Sequence, residues 1–534
     1  MMAVDPTQTD AVKPIPTNAR RGERFILSLL WNWMGVSAGL FTGLLLSPYL
    51  IRKLGPEAYG LWTLSFAVVE YGTFLDLGFR SAIVKYVAHY YTLNDALGIN
   101  RVINTGVVYA GLVSAGIFVA TLWLSGYLHY FLKISSSFQS TFRLLIILVS
   151  LSWCFSFVFG LFGACLEAIQ RFDLYNKAGA VSTVLRACGI AVLLYRGHGL
   201  IAIGMWTVCT QGLNYFLFLI LFKHAVASFR LYPRFAGLDT LRMMASFGLH
   251  TFVVNVSNIF LNQGPPMLIG HFFTANFVTY YQLPMKLIQY TSDAVGRIGI
   301  ITNSNAAEVQ ARGDLPVLAQ LAVYSNRYSL TLFMPLALVF WIWGDRIFNL
   351  WVPSIAGKSA PLLPILLAGY MLAIVAQYSS GMLLQGMGRH QRFARGLLVE
   401  SVAVLISLIF VLPRYGILGV AWVTCICMVL NRGLFAPWLV TRELKISFPW
   451  FMHSIYTWPA AAAVPIVALA YRLRSGILPG NTWFQLFAVG AIIATAYFVI
   501  AFFSCLPANH RSQLLGVVLR TFRIRAQPTL TPLQ

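Results

Sequence analysis

Five polar residues stand in register within one apolar stretch: Gln282, Lys286, Gln289, Asp293 and Arg297. Steps of four, three, four and four return to the same side of an α-helix, so all five share one face. The segment that holds them, 276–298, is long enough to cross a bilayer, which takes about 20 mainly apolar residues. A charge at mid-bilayer costs about 2.5–3.5 kcal/mol on insertion scales, so a lysine there faces a partner or a wet cavity. The preceding stretch, 245–272, places Thr251, Asn255, Asn258 and Asn262 on one face and then runs into Gly264-Pro265-Pro266. Consecutive prolines remove helical N–H donors and predict a broken or kinked helix, which is tolerated where the backbone lines a cavity. The asparagines alone read equally well as interhelical glue. With Lys286 on the neighbouring stripe, the cavity reading is the better one.

Other polar groups lie inside apolar runs. Arg24, Ser28, Asn32, Gly35, Gly39 and Thr42 give the first span a polar or small face, and the second carries Glu70, Asp76 and Arg80. Asp76 and Arg80 are four apart and suit an ion pair at the span's end. Glu70 has no such neighbour in its own helix, leaving three roles open: a pair with Arg186, a pair with Lys286, or a proton carrier. Arg186, in the fifth span, is either a partner for Glu70 or a ligand for an anion. Lys286 and Arg186, with Arg80 and Arg297 at the mouth, give a cavity a positive lean. Such a cavity suits an anionic head group, above all a phosphate or diphosphate.

These groups must be positioned by a membrane-embedded helical scaffold. The chain has 534 residues, 58% hydrophobic and 10% charged, against about 25% charged in a soluble domain. A soluble enzyme is excluded. Apolar runs at 25–51, 58–79, 102–125, 143–165, 178–195, 200–222, 245–272, 276–298, 323–344, 361–385, 396–412, 416–438, 455–471 and 484–506 predict an all-α polytopic membrane protein with about 14 transmembrane helices. The run Phe25–Ile51 is too long for a signal peptide's apolar core and predicts a retained first span. Of 38 Lys+Arg, twenty-six fall in the tails and alternate connections, Arg432 among them, and ten in the others. The positive-inside rule then places both termini in the cytoplasm.

The net charge of +22 arises from short basic clusters between apolar runs, a pattern that suits an anionic membrane surface and not nucleic acid. The seven cysteines all lie in apolar runs and show no metal or redox spacing. Gly357-Lys358-Ser359 ends like a phosphate loop, but Val352 stands where its first glycine is needed. No nucleophile constellation or metal-ligand spacing is present among the histidines. No metal or cofactor is expected, and the connections are too short to hold a separate domain. Pro48-Tyr49-Leu50-Ile51 and Pro266-Met267-Leu268-Ile269, followed by Glu70-Tyr71 and Gln289-Tyr290 at nearly the same offset, form a faint internal echo of the kind seen in transporters with duplicated halves. Spans 13 and 14 have no interior charge and read as accessory.

The stretch from Ser47 to Trp62, with Leu54-Gly55-Pro56-Glu57-Ala58-Tyr59-Gly60 at its centre, continues through Leu75-Asp76-Leu77-Gly78-Phe79-Arg80 to Val87. It resembles the polysaccharide-export flippases of the multidrug/oligosaccharidyl-lipid/polysaccharide exporter superfamily. Tyr281 to Lys286 and Ala311-Arg312-Gly313-Asp314 resemble that family's eighth span and the loop after it. The resemblance implies two six-helix lobes, 25–222 and 245–438, joined by a cytoplasmic linker, 223–244. Tails 1–24 and 507–534 and accessory helices within 455–506 complete the chain. It implies export of a polyprenyl-diphosphate-linked oligosaccharide across a bacterial inner membrane for O-antigen, capsule or exopolysaccharide, by alternating access. Membrane lipids, a polysaccharide polymerase and assembly proteins would be the partners, and an H+ or Na+ gradient would drive the cycle. Lys286 carries over first as the cationic head-group residue, then Arg80 and Arg52, with Asn32, Asn255, Asn258, Asn262, Gln282 and Gln289 lining the cavity. Glu70, Asp76 and Asp293 are the ion-coupling candidates.

The chain also departs from its relatives within that superfamily. Its drug exporters often carry an acidic residue within the first span, which has none here after Glu23. Its lipid II flippases tend to carry more arginine there than Arg24, and that branch is the alternative. A polymerase or ligase of lipid-linked sugars would need a large outer loop, and a scaffold would have no use for charged mid-membrane stripes. The orientation is directly testable: cysteine introduced at Ser136 is labelled from outside the cell and at Ser228 from inside. The reverse pattern overturns it.

Overall fold

The computed structural model describes residues 18–513, 515 and 516, without the side chains of 18–38, 40–41, 247–251, 294, 297 and 375–377. Within these the protein is helical. The main helices are α1 (Asn18–Glu70), α2 (Phe79–Thr92), α3 (Ala96–Leu124), α4 (Gln139–Ala168), α5 (Phe172–Tyr195), α6 (Leu200–Ala225), α7 (Leu238–Phe272), α8 (Ala275–Arg312), α9 (Leu315–Trp351), α10 (Leu362–Val375), α11 (Gln391–Met428), α12 (Ala436–Leu444), α13 (Phe448–Ser475) and α14 (Trp483–Ser504). Each of the fourteen apolar runs coincides with helical backbone over most of its length. Among the described residues, nine helical segments are long and apolar enough to cross a membrane.

Glycines turn the chain between spans. Gly55 at φ 86° interrupts α1 between its two apolar runs, and Pro56 restarts the helix where a missing N–H costs nothing. Gly416 at φ 60° does the same within α11. After Glu70 the helix tightens to a 3₁₀ turn, Tyr71–Asp76, and Leu77 and Gly78, both left-handed, swing it into α2. The Gly264-Pro265-Pro266 run departs from the expected break: α7 continues unbroken to Phe272. All three residues are buried, and a Cβ at Gly264 would come within 2.4 Å of Leu405. Close packing there holds the helix although Pro265 and Pro266 leave the carbonyls of Leu261 and Asn262 without their usual donors.

The chain forms two compact units, Met1–Gln282 with Leu397–Val420, and Leu283–Gly396 with Ala421–Gln534. In the first, Phe79, Ile83 and Val87 of α2, Ile99 and Ile103 of α3, Phe162 and Leu166 of α4, and Phe218 and Phe222 of α6 form one buried cluster. The connection after α6 is docked, not loose. Phe229 enters the cluster with ring centroids 5.7 Å from Phe162 and 5.3 Å from Phe222. Two buried asparagines of α3 then serve it as a ladder. Asn100 donates to the Ser228 carbonyl (3.0 Å) and accepts from the Arg230 N–H (2.7 Å). Asn104 repeats the pattern one turn on, with the Arg230 carbonyl (2.9 Å) and the Tyr232 N–H (2.7 Å).

In the second unit, α9 is buried along much of its length and α13 and α14 lie against it. Arginines fasten this packing near both ends of α9. Arg474 of α13 reaches Asp345 at 2.9 Å, while Arg327 donates to the carbonyls of Ser454 (2.8 Å) and Cys505 (3.2 Å). A buried polar seam joins α9 to the π-helical turn Ala376–Ser380: Ser379 bonds Ser329 at 2.7 Å, and Ser380 donates to Asn326 at 3.1 Å.

The ladder on α3 gives a stability prediction. Asn104→Ala leaves the Arg230 carbonyl and Tyr232 N–H without side-chain partners, at a cost of about 1–3 kcal/mol. A lower thermal midpoint and faster proteolysis across 228–237 are expected. Unchanged protection of that segment would contradict the ladder.

Candidate functional site

The stripe on α8 separates cleanly by burial. Gln282 and Lys286 are half-buried and Gln289 and Asp293 exposed, while Leu283, Leu287, Ile288, Thr291 and Ser292 on the other sides are buried. The side chain of Arg297 lies outside the described residues, as does that of Asn32. The helix thus packs its apolar face and presents its polar one, the arrangement expected of a helix along a wet surface.

On α7, Asn255, Asn258 and Asn262 are all exposed, whereas Ser257 and Ile259 are buried. Helix-gluing amides would be buried and bonded across an interface. Among the described residues none of these three makes a side-chain hydrogen bond. An amide turned to lipid would lose its water bonds at a cost of a few kcal/mol. The asparagine face is therefore better satisfied by water or by a polar ligand.

Glu70 lies where α1 tightens into its 3₁₀ turn, and its carboxylate accepts from Gln263 of α7 at 2.6 Å. Its hydrogen-bond partner is an amide, not Arg186 or Lys286. Tyr71 and Phe74, just beyond, meet Phe260 at centroid distances of 6.1 and 5.2 Å. Gln263 and Phe260 thus hold the end of α1 against α7, while the asparagine face of α7 remains exposed. Thr279 of α8 also reaches α1, donating to the Pro56 carbonyl at 2.6 Å.

Asp76 and Arg80 do not form the expected pair. Asp76 is in reach of the backbone N–H groups of Arg80 and Gly78, so it serves the turn into α2. Arg80 crosses to α4, donating to Glu167 at 2.9 Å, and to the Tyr175 hydroxyl of α5 at 3.4 Å. Half of the Arg80 side chain remains exposed. Arg186 is half-buried on α5; its carbonyl accepts from the Trp206 indole at 3.2 Å, and Tyr215 lies within electrostatic reach of its guanidinium. Arg52 is exposed beside the Gly55 turn.

Residues that sequence reasoning passed over also carry polarity into the bundle. Glu400 of α11 is buried, as are Asn431 and Arg432 in the π-helical turn Val429–Phe435 that follows it. The positive-inside count placed Arg432 in a connection; the structure buries it. Tyr378, in the other π-helical turn, lies within electrostatic reach of Asp293 and Arg432. Widened turns of this kind occur often at functional sites. The available signal was position: Glu400 falls inside the run 396–412 and Arg432 inside 416–438.

Comparison with known proteins defines the class. The fold is that of the flippase and exporter bundles. A solved lipid II flippase, MurJ, in an inward closed conformation superposes with a TM-score of 0.71 at 12% identity, covering 89% of this chain and 99% of its own. An inward-facing multidrug resistance MATE family transporter of the MOP superfamily gives a TM-score of 0.60 at 14% identity, over 79% of this chain and 98% of that one. The family profile described as "Polysaccharide biosynthesis protein" matches residues 49–351, and the chain belongs to that family. A Shigella flexneri protein named "Putative O-antigen transporter" is 22% identical over 436 residues, 79% of this chain and 99% of its own. The Bacillus subtilis membrane protein EpsK is 20% identical over 512 residues, 94% of this chain and 98% of its own.

Accessibility distinguishes a wet face from a lipid-facing or packed one. In a cysteine-free background, Asn258→Cys and Asn262→Cys should react with a membrane-impermeant maleimide, and Ile259→Cys should not. Equal reactivity at all three, or none, removes the wet face.

Proposed function

We propose that the chain is a flippase that exports a polyprenyl-diphosphate-linked oligosaccharide from the cytoplasmic to the outer leaflet of a bacterial inner membrane. The product would feed O-antigen, capsule or exopolysaccharide synthesis. The observation that carries this reading is Lys286 on the polar face of α8, inside a family of polysaccharide-biosynthesis membrane proteins. A diphosphate is the part of such a substrate that must lose most water on entering the bundle, and a lysine beside amides replaces those bonds. The sugars meet Gln282, Gln289 and the asparagines of α7, whose donors and acceptors suit hydroxyl groups. Arg186, Arg80, Arg297, Arg52 and Asn32 extend the polar path.

The protein acts by alternating access of two six-helix lobes, 25–222 and 245–438, with both termini in the cytoplasm, and as a transporter rather than an enzyme. A proton or sodium gradient supplies the drive. Glu70 is the coupling residue of choice because Gln263 can hold its carboxylate and lose that hold on protonation or ion binding. Asp293 and Asp76 are the further acidic candidates. A polymerase and assembly proteins take the product on the far side.

Proteoliposomes with a defined lipid-linked oligosaccharide test this by sidedness. Lys286→Ala should slow translocation about tenfold or more, the effect of losing a charge-assisted contact of about 1.5–3 kcal/mol, with expression unchanged. Glu70→Gln should leave movement but abolish its response to an imposed gradient. Native-like transport by the lysine variant removes the cationic-site argument. Movement of lipid II alone would assign the protein to that branch.

A further inference from the structure

A pocket lies away from the stripes of α7 and α8, at the junction between the end of α3 and the start of α4. It is an open depression of about 440 Å³ lined by Ser125, His129, Gln139, Ser140 and Arg143, with Ile147 among its apolar residues; Gln139, Ser140 and Arg143 are exposed. No carboxylate lines it, and among the described residues Arg143 forms no ion pair. Every fixed or titratable charge that faces this space is therefore positive or becomes so on protonation.

Its surroundings place it at the edge of a bilayer. The pocket lies where two long apolar helices end, and Trp123, Tyr127 and Tyr130, neighbours in sequence of its lining residues Ser125, Gly126 and His129, are exposed by 67%, 56% and 79%. Large amphipathic rings on a surface at the end of a span belong at the lipid head-group level. Leu144, next to Arg143, is also exposed and would continue this surface toward the acyl chains. An opening that is cationic within and flanked by interfacial aromatics matches a lipid whose head group is anionic and compact.

We propose that this cavity binds the phosphodiester head group of an anionic membrane phospholipid, with Arg143 and His129 as its cationic ligands and Gln139 and Ser140 completing the hydrogen bonds. The volume suits a phosphoglycerol group, whereas a diphosphate-linked oligosaccharide would overfill it. A lipid seated there ties the α3–α4 junction to the membrane surface.

The test uses the full-length protein released from detergent for native mass spectrometry, after incubation with equimolar phosphatidylglycerol and phosphatidylcholine. Preferential retention of phosphatidylglycerol is expected. Arg143→Gln should reduce it about fivefold, the weight of one basic residue beside an anionic head group. Arg143→Lys should keep most of it, and Arg196→Gln, an exposed arginine at another helix end, should change nothing. Equal retention of the two lipids overturns the proposal. So does an equal loss in the Arg143→Gln and Arg196→Gln variants, which would reflect surface charge in general. Displacement of phosphatidylglycerol by an equimolar polyprenyl diphosphate would give the cavity to the transported lipid instead, and also overturn it.

Discussion

A bilayer core offers no hydrogen-bond partner, and this constraint accounts for most of what the chain does. Backbone N–H and C=O groups must be satisfied within each segment, so the described residues are helical, and the one bridge between extended residues, Lys133 with Thr274, lies outside the helices. Side chains obey the same rule in two ways. Ser329, Asn326, Ser379 and Ser380 are sealed together inside the second unit. The amides of α7 and the acids and amides of α8 remain accessible instead, which the hydrocarbon region permits only where water or a ligand reaches them. The contrast between these two treatments of polar groups separates the cement of the bundle from its working surface.

The same contrast explains where the sequence was readable. Apolar run length and the positions of Gly55 and Gly416 are local quantities, and they locate the helices and their turns. The period of Gln282, Lys286, Gln289 and Asp293 is local too, and their shared accessible face emerges as the spacing implies. Pairings across helices are not local. Arg80 lies four residues from Asp76, yet it pairs with Glu167, 87 residues away, because Leu77 and Gly78 turn the chain between the two and direct Asp76 to backbone N–H groups. Glu70 finds Gln263, 193 residues away, and no spacing within either helix encodes that meeting.

Two further differences have packing as their cause. The prolines of α7 would disrupt an isolated helix, but with Gly264 they are buried and closely packed, and the helix continues through them. Arg432 was counted with the loop charges although it lies inside the apolar run 416–438. A π-helical turn draws it into the second unit instead. Neither outcome is contained in composition, since each depends on which neighbour happens to face the residue.

The superpositions at 12% and 14% identity with a lipid II flippase and a drug exporter show how little of the sequence the scaffold needs. Apolar helices of suitable length, turned at suitable glycines, suffice for the bundle, and fold alone does not choose a cargo. What can choose it is the small set of polar residues whose burial the bundle leaves incomplete. In this chain that set is amide-rich, with Lys286 and Asp293 on its α8 stripe. Recognition by residues scattered in this way rests on many individually weak contacts, which no short motif encodes.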